Sequence, residues 1–159
     1  MSHHRQENGY GCGMYAVANV LNIPEFITHE RLEASKSGNN IGQLTHWLFQ
    51  DGHSFCIDTL KYTGRLISLP KIDIINFEAS VLYWPALVSI RATKEKNHMI
   101  GIKVHNGGLS GQTVEVCDSL FDEPFFLYDW NELKSHYPKV YGLFSFRDFN
   151  NKDIFICSL

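Results

Sequence analysis

The sequence predicts an α+β fold, with N-terminal helices packed against a C-terminal antiparallel β-sheet. Up to Gly52 the apolar residues recur with helical spacing, whereas from Ser54 onward they fall in short segments rich in β-branched and aromatic residues. Turn residues separate those segments, which is typical of strands joined by hairpins. Helices followed mostly by hairpin-connected strands describe an α+β domain.

Three helices are expected before the sheet. Pro24 opens the second one, because proline is tolerated in the first turn of a helix. In the third, Ile41, Leu44 and Leu48 share one face, and Gly52 ends the pattern. The three segments are residues 13–22, 24–35 and 40–52.

Six strands are expected after the helices, each a short run of β-branched and aromatic residues. A late helix, at residues 129–137, is predicted between the fourth strand and the fifth. The strand segments are residues 54–60, 85–92, 98–105, 113–119, 140–146 and 153–159.

Length and composition describe one domain over residues 1–159. A chain of 159 residues with 44% hydrophobic residues can bury roughly two thirds of the surface that its unfolded form exposes. The net charge of -3 does not indicate binding to nucleic acid or to an anionic membrane, both of which attract positively charged surfaces. No signal peptide or membrane-spanning stretch is recognisable, so we expect a cytoplasmic protein, with delivery as an effector left open.

The cysteines are spread widely and form no CxxC pair. This spacing predicts neither a zinc cage nor a disulfide framework, and we expect no metal or organic cofactor. Cys56, Cys117 and Cys157 each lie in an apolar strand-like run, where a thiol is typically buried and structural.

Cys12 differs, because it stands between two glycines at the start of a predicted helix. The positive end of the helix dipole and the unpaired amide groups there favour the thiolate over the thiol. Gly11 and Gly13 let the backbone turn tightly and allow a substrate to approach closely. The alternative is a small buried residue at a glycine turn. On the first interpretation, Cys12 is a candidate nucleophile.

Gln6 precedes this thiol on a polar segment that leads into the helix. An uncharged side-chain amide in that place can donate a hydrogen bond to the oxyanion that forms when sulfur attacks a carbonyl. The backbone N–H of Cys12 would be the second donor. A solvated loop residue is the simpler alternative.

A thiol nucleophile also needs a base, and His98 is the candidate among the histidines. Strand alternation places His98 on one face with Ile100 and Ile102, and a polar ring at the end of an apolar strand face can look into a cleft. His105 falls on the opposite face with Lys103.

Asp118 is the expected partner of His98. If the hairpin that joins the two strands is symmetric about Gly108, His98 and Asp118 face each other as cross-strand neighbours. Each residue alone has a structural explanation, the histidine at a strand end and the aspartate at a turn. A bulge in the glycine-rich loop would change the register.

Gln6, Cys12, His98 and Asp118, in that order, resemble the glutamine, cysteine, histidine and aspartate or asparagine of papain-like cysteine peptidases. Within that group, QENGYGCGMYAVANVLN is similar to the helix entry of the bacteriocin-leader (double-glycine) peptidases. The later stretches WPALVSIRATKEKNHMIGIKV and VEVCDS are similar to their strands. The sequence also resembles the Josephin deubiquitinases, which share this compact fold, and they are the second candidate family. Ser119 stands where the leader peptidases commonly have proline.

The resemblance implies a cysteine peptidase or related thiol hydrolase. Cys12 would attack a peptide or isopeptide carbonyl, His98 would transfer the proton, Asp118 would orient the imidazole, and Gln6 would bind the oxyanion. The expected partner is a peptide or protein substrate, with ubiquitin-like and Gly-Gly-containing chains included. Three alternatives stay open: an amidase or acyl transferase on the same scaffold, a non-catalytic binding module, and a zinc-binding protein.

Overall fold

The computed structural model describes residues 3–68, 85–91, 97–107, 111–128 and 130–148. Within these ranges the chain combines helices with a six-stranded antiparallel sheet, and the predicted α+β class is confirmed. None of the helices in these ranges is long and apolar enough to cross a membrane. The helices are α1 (Cys12–Leu21), α2 (His29–Ala34), α3 (Ile41–Gln50) and α4 (Trp130–His136).

The predicted continuous helix over residues 24–35 is wrong. Pro24–Phe26 forms a single 3-10 turn, and α2 starts separately after Thr28. The Thr28 hydroxyl accepts a hydrogen bond from the N–H of Arg31 at 3.1 Å, which caps the new helix. An N-cap residue has an extended backbone, as Thr28 does here, so it breaks the helical path.

The other helices lie where the sequence predicts them. Asn40 caps α3 by accepting the N–H of Gln43 at 2.8 Å, and Gly52 follows the helix in the left-handed region, with φ of 84°. Asn22 ends α1 in the same region, with φ of 55°. Short polar residues and glycine tolerate this conformation, and it stops a helix.

The sheet has the strand order β1-β6-β2-β3-β4-β5, and each neighbouring pair is antiparallel. The expected strand at residues 153–159 lies outside the described residues. β5 was not expected, because three residues are too few to give a periodic pattern. The strands are β1 (Phe55–Ser68), β2 (Ala86–Arg91), β3 (Asn97–Gly107), β4 (Gly111–Cys117), β5 (Phe125–Leu127) and β6 (Lys139–Asp148).

The expected register of the β3–β4 hairpin is wrong by two residues. Gly101 lies opposite Cys117 and Gly107 opposite Gly111, so His98 does not stand directly across from Asp118. A shift of two residues keeps every side chain on its own face of the sheet, because the side-chain period of a strand is two. His98 and Asp118 are therefore diagonal neighbours on one face.

The sheet has a hydrophobic cluster on each side. One contains Ile100 and Val116 of the sheet together with Leu133 of α4, and the other contains Met99 together with Val17 of α1. On the side of the sheet that α1 covers, the helix lies very close to β3. A Cβ atom added to Gly101 would stand 2.7 Å from Cβ of Val20, so only glycine fits beneath the helix. The contact lays α1 across β3.

Candidate active site

Cys12 is the first residue of α1, as expected. Gly11 precedes it with φ of 87°, a conformation that L side chains rarely adopt, so this turn favours glycine. Asn39 Oδ1 accepts the N–H of Met14 at 3.0 Å and so caps the helix from the loop before α3. Within the described ranges the N–H of Cys12 itself has no hydrogen-bond partner.

The structure brings Cys12, His98 and Asp118 together. The thiol of Cys12 and the ring of His98 interact, and each shifts the pKa of the other. On the other side of the ring, Nε2 of His98 lies 2.6 Å from Oδ1 of Asp118. Because Nε2 is occupied by Asp118, Nδ1 is the nitrogen left to face the sulfur. His98 and Asp118 are 4% and 2% exposed, so water does not screen their interaction.

The Asp118 carboxylate accepts hydrogen bonds at both oxygens. Oδ1 takes the N–H of Leu120 at 3.0 Å in addition to the ring of His98. Oδ2 takes the hydroxyl of Tyr137, which follows α4, at 2.6 Å. Bonds from three directions fix the plane of the carboxylate and stabilise its ionised form.

The ionisation of the thiol and the imidazole is coupled. Burial on its own would raise the pKa of Cys12, but the hydrogen bond and positive charge of His98, with the N–H groups of Met99 and Gly13, lower that pKa overall. Burial would lower the pKa of His98, but hydrogen bonds to Asp118 and Cys12 and their negative charges raise it to about 9. The site therefore favours a thiolate beside an imidazolium.

Asp118 supplies the negative charge of this arrangement. Burial opposes its ionisation, yet the hydrogen bonds from His98 and Tyr137 hold the pKa of the carboxyl below its usual value. The same contact raises the pKa of the Tyr137 hydroxyl, after burial as the larger cause. Tyr137 thus stays a neutral donor, and Asp118 stays an anion.

Gln6 is joined to the site through Ser119. Its N–H donates to the Ser119 carbonyl at 2.9 Å, and the Ser119 hydroxyl donates to Oε1 of Gln6 at 2.5 Å. Nε2 of Gln6 donates to the carbonyl of Asn8 at 2.8 Å. One hydrogen of the amide is left without a partner among the described residues, which also contain no hydrogen bond between Gln6 and Cys12.

The remaining histidines and thiols of the described ranges do not join this group. His105 lies 3.2 Å from Glu115, which also forms an ion pair with the buried Lys103 at 3.5 Å. Cys56 and Cys117 are buried, as their strand pattern predicts. Burial, as the largest cause, raises the pKa of Cys117 to about 12, so this thiol stays protonated. Cys157 lies outside the described residues.

Sequence analysis missed Tyr137, Ser119 and Asn39. A signal for Tyr137 exists: it stands four residues after Leu133, so the two share the buried face of the late helix, and a buried tyrosine hydroxyl needs a partner. No comparable signal marks Ser119 or Asn39, since their contacts depend on how distant segments pack.

The described residues hold no group of three His, Cys, Asp or Glu side chains that could bind a metal ion. Comparison of the chain with protein-family models gives no match, and comparison with curated proteins gives none either. The interpretation of the site therefore rests on its geometry.

Proposed function

We propose that this chain is a papain-like cysteine hydrolase that cleaves a peptide or isopeptide amide. One observation carries the proposal: Nε2 of His98 is 2.6 Å from the buried Asp118, and the same ring interacts with the thiol at the first residue of α1. A nucleophile, a base and a group that orients the base form the arrangement used for covalent acyl transfer. The order of α1 before the sheet strands agrees with a papain-like plan.

Attack by the Cys12 thiolate forms a bond between sulfur and the substrate carbonyl carbon, and the carbonyl electrons move to oxygen. The N–H of Cys12 and the remaining hydrogen of the Gln6 amide are the donors available for that oxyanion. Collapse of the intermediate breaks the C–N bond, while Nδ1 of His98 gives its proton to the leaving amine. Water, deprotonated by His98, then releases the acyl group from sulfur.

The first experiment profiles cleavage of a peptide library that includes Gly-Gly and ubiquitin-like substrates. Cys12→Ser keeps the size of the side chain but removes the reactive sulfur, and it should lower turnover by at least about 10³-fold. Cys56→Ala removes a thiol that takes no part in the site and serves as the matched control. Full activity in Cys12→Ser would refute the proposal.

An acyl transferase would use the same residues. Product masses measured with and without an added primary amine separate the two reactions, because only transfer to the amine gives a conjugated product. A hydrolase yields the free acid in both cases.

A further inference from the structure

We propose that Tyr137 is a positioning residue of this site, whose hydroxyl holds the Asp118 carboxylate in the plane that aims His98 at Cys12. The role of the aligned thiol in hydrolysis rests on the proposed function, whereas the alignment itself does not. Tyr137 directly follows α4 and contacts Oδ2 of Asp118, whereas His98 contacts Oδ1.

The position of the Tyr137 hydroxyl is fixed by its own hydrogen bond and by the packing of its ring. Its oxygen lies 2.6 Å from Oδ2 of Asp118, and the Tyr137 ring stacks on Phe125 with centroids 6.5 Å apart and planes inclined by 24°. The side chain is buried with Leu133 in the cluster between α4 and the sheet. A ring held in this way has little freedom to move its hydroxyl away from the carboxylate.

Oδ2 of the Asp118 carboxylate depends on the hydrogen bond from the Tyr137 hydroxyl. Oδ1 has two donors, His98 and the N–H of Leu120, but among the described residues Tyr137 is the one donor to Oδ2. A buried carboxylate oxygen without a donor is costly, so loss of the hydroxyl would let the group rotate or draw in water. Either change weakens the hold of Asp118 on the His98 ring.

The groups that face His98 come from three parts of the chain. Cys12 belongs to α1, Asp118 follows β4, and Tyr137 acts from the end of α4 through Asp118. A turn of the His98 ring weakens its interaction with the thiol and destabilises the thiolate. Thiolate content therefore reports the alignment without any substrate.

The test compares Tyr137→Phe with Tyr141→Phe. Both changes remove one hydroxyl and keep the ring. The Tyr141 hydroxyl, on β6 and outside the site, accepts a hydrogen bond from Arg91 at 2.6 Å. The rate of Cys12 alkylation by iodoacetamide is followed by peptide mass mapping. At about pH 6 we expect Tyr137→Phe to slow alkylation by roughly three- to tenfold, with Tyr141→Phe unchanged. Equal rates in the two variants would overturn the proposal.

Repeating Tyr137→Phe in the Asp118→Ala protein distinguishes a positioning role of Tyr137 from a packing role. In Asp118→Ala there is no carboxylate to hold, so adding Tyr137→Phe should change the alkylation rate by less than about twofold. The same loss in both backgrounds would show that Tyr137 acts through packing alone. With a cleaved substrate, Tyr137→Phe should also lower kcat by about tenfold and leave KM nearly constant. If no substrate is cleaved, the proposed function fails, while the alkylation rates still decide the role of Tyr137.

Discussion

The ring of His98 lies between the Cys12 thiol and the Asp118 carboxylate. Asp118 contacts Nε2, which leaves Nδ1 for the Cys12 sulfur, and the interaction lowers the pKa of the thiol and raises that of the imidazole. Charges of opposite sign in a buried pair stabilise each other, and the two groups titrate as a unit. At neutral pH the expected resting form is thiolate with imidazolium.

Activity should show a bell-shaped dependence on pH. It rises as Cys12 loses its proton, at a pH below the ordinary range of a thiol, and falls as His98 loses its own at about pH 9. Asp118→Asn removes the charge that helps to raise the pKa of His98, so the alkaline limb should move to lower pH. The measurement is kcat/KM against pH for both proteins. An unmoved alkaline limb in Asp118→Asn would show that another group controls it.

Gln6 is predicted to act on the transition state. Gln6→Ala should lower kcat by on the order of 10²-fold with a smaller change in KM, because the oxyanion does not exist in bound substrate. Steady-state kinetics on a cleaved peptide measure both constants. A loss confined to KM would make Gln6 a substrate-binding residue instead. Asn8→Ala is the matched control, since its backbone carbonyl keeps the bond to Gln6.

Among single residues, those with a local signal could be predicted. Cys12 was recognisable from its glycines and helix start, and His98 from strand alternation. Ser119 and Asn39 were not, because each acts on a residue far away in the chain, at Gln6 and Met14 respectively. A side chain's distant partner follows from packing, which no local pattern records.

At the scale of elements, the contact between α1 and β3 sets the distance between Cys12 and His98. Cys12 starts the helix and His98 lies near the start of the strand, so any displacement of one element against the other moves the two side chains apart. Gly101 is a point of close approach between α1 and β3, since an added Cβ would stand 2.7 Å from Cβ of Val20. The geometry of the site is therefore sensitive to a residue outside it.

Gly101→Ala tests this dependence. The new Cβ would stand 2.7 Å from Cβ of Val20 and 3.2 Å from the carbonyl oxygen of Ala16, so α1 must shift. Overpacking of this kind should cost about 1–3 kcal/mol in the free energy of unfolding, measured with urea, and should also lower kcat.

Gly42→Ala, in α3, is the matched control for that change. The atom nearest to its new Cβ is Oδ1 of Asn40, at 3.3 Å, so the side chain that caps α3 must move by a few tenths of an ångström. Alanine favours a helix over glycine by up to about 1 kcal/mol, which offsets this cost, so Gly42→Ala should destabilise the protein less than Gly101→Ala does. If Gly101→Ala cost no more than Gly42→Ala, α1 would not be held at its distance by this contact.

In the β3–β4 hairpin, the sequence was sufficient to predict the face of each side chain but not the register. Alternation gave the correct faces for His98 and Asp118, but a connection of unknown geometry cannot give the register, and the pairing differs by two residues. The buried pair of Lys103 and Glu115, directly opposite each other, belongs to the observed register. The partners still meet, because the side chains of diagonal neighbours are within reach of each other.

For the whole molecule, the site depends on joining the first residues of the chain to the segment after β4. His3 bonds the carbonyl of Phe121 at 3.0 Å, Arg5 bonds Asp122 at 2.9 Å, and Gln6 bonds Ser119. Asn19, buried in α1, holds the backbone of His4 between them. Gln6 and Asp118, the partner of His98, are thereby fixed to the same turn.

The change of period along the sequence was sufficient to predict the α+β class. It could not predict the break of the second helix at Thr28, where a side-chain cap outweighs helix propensity, nor the short strand β5. It also could not show that α4 would contribute Tyr137 to a site built from α1 and β3. These features depend on contacts between segments far apart in the chain.

The central claim is that Cys12 attacks the substrate and carries its acyl group, and rapid acid quench of a single turnover tests it most directly. Mass mapping of the quenched protein should find the acyl group on Cys12, with Cys56 and Cys117 unmodified, and with no acylated species in Cys12→Ala. A protein that cleaves the substrate while the acyl group appears on another residue, or on none, would contradict the account.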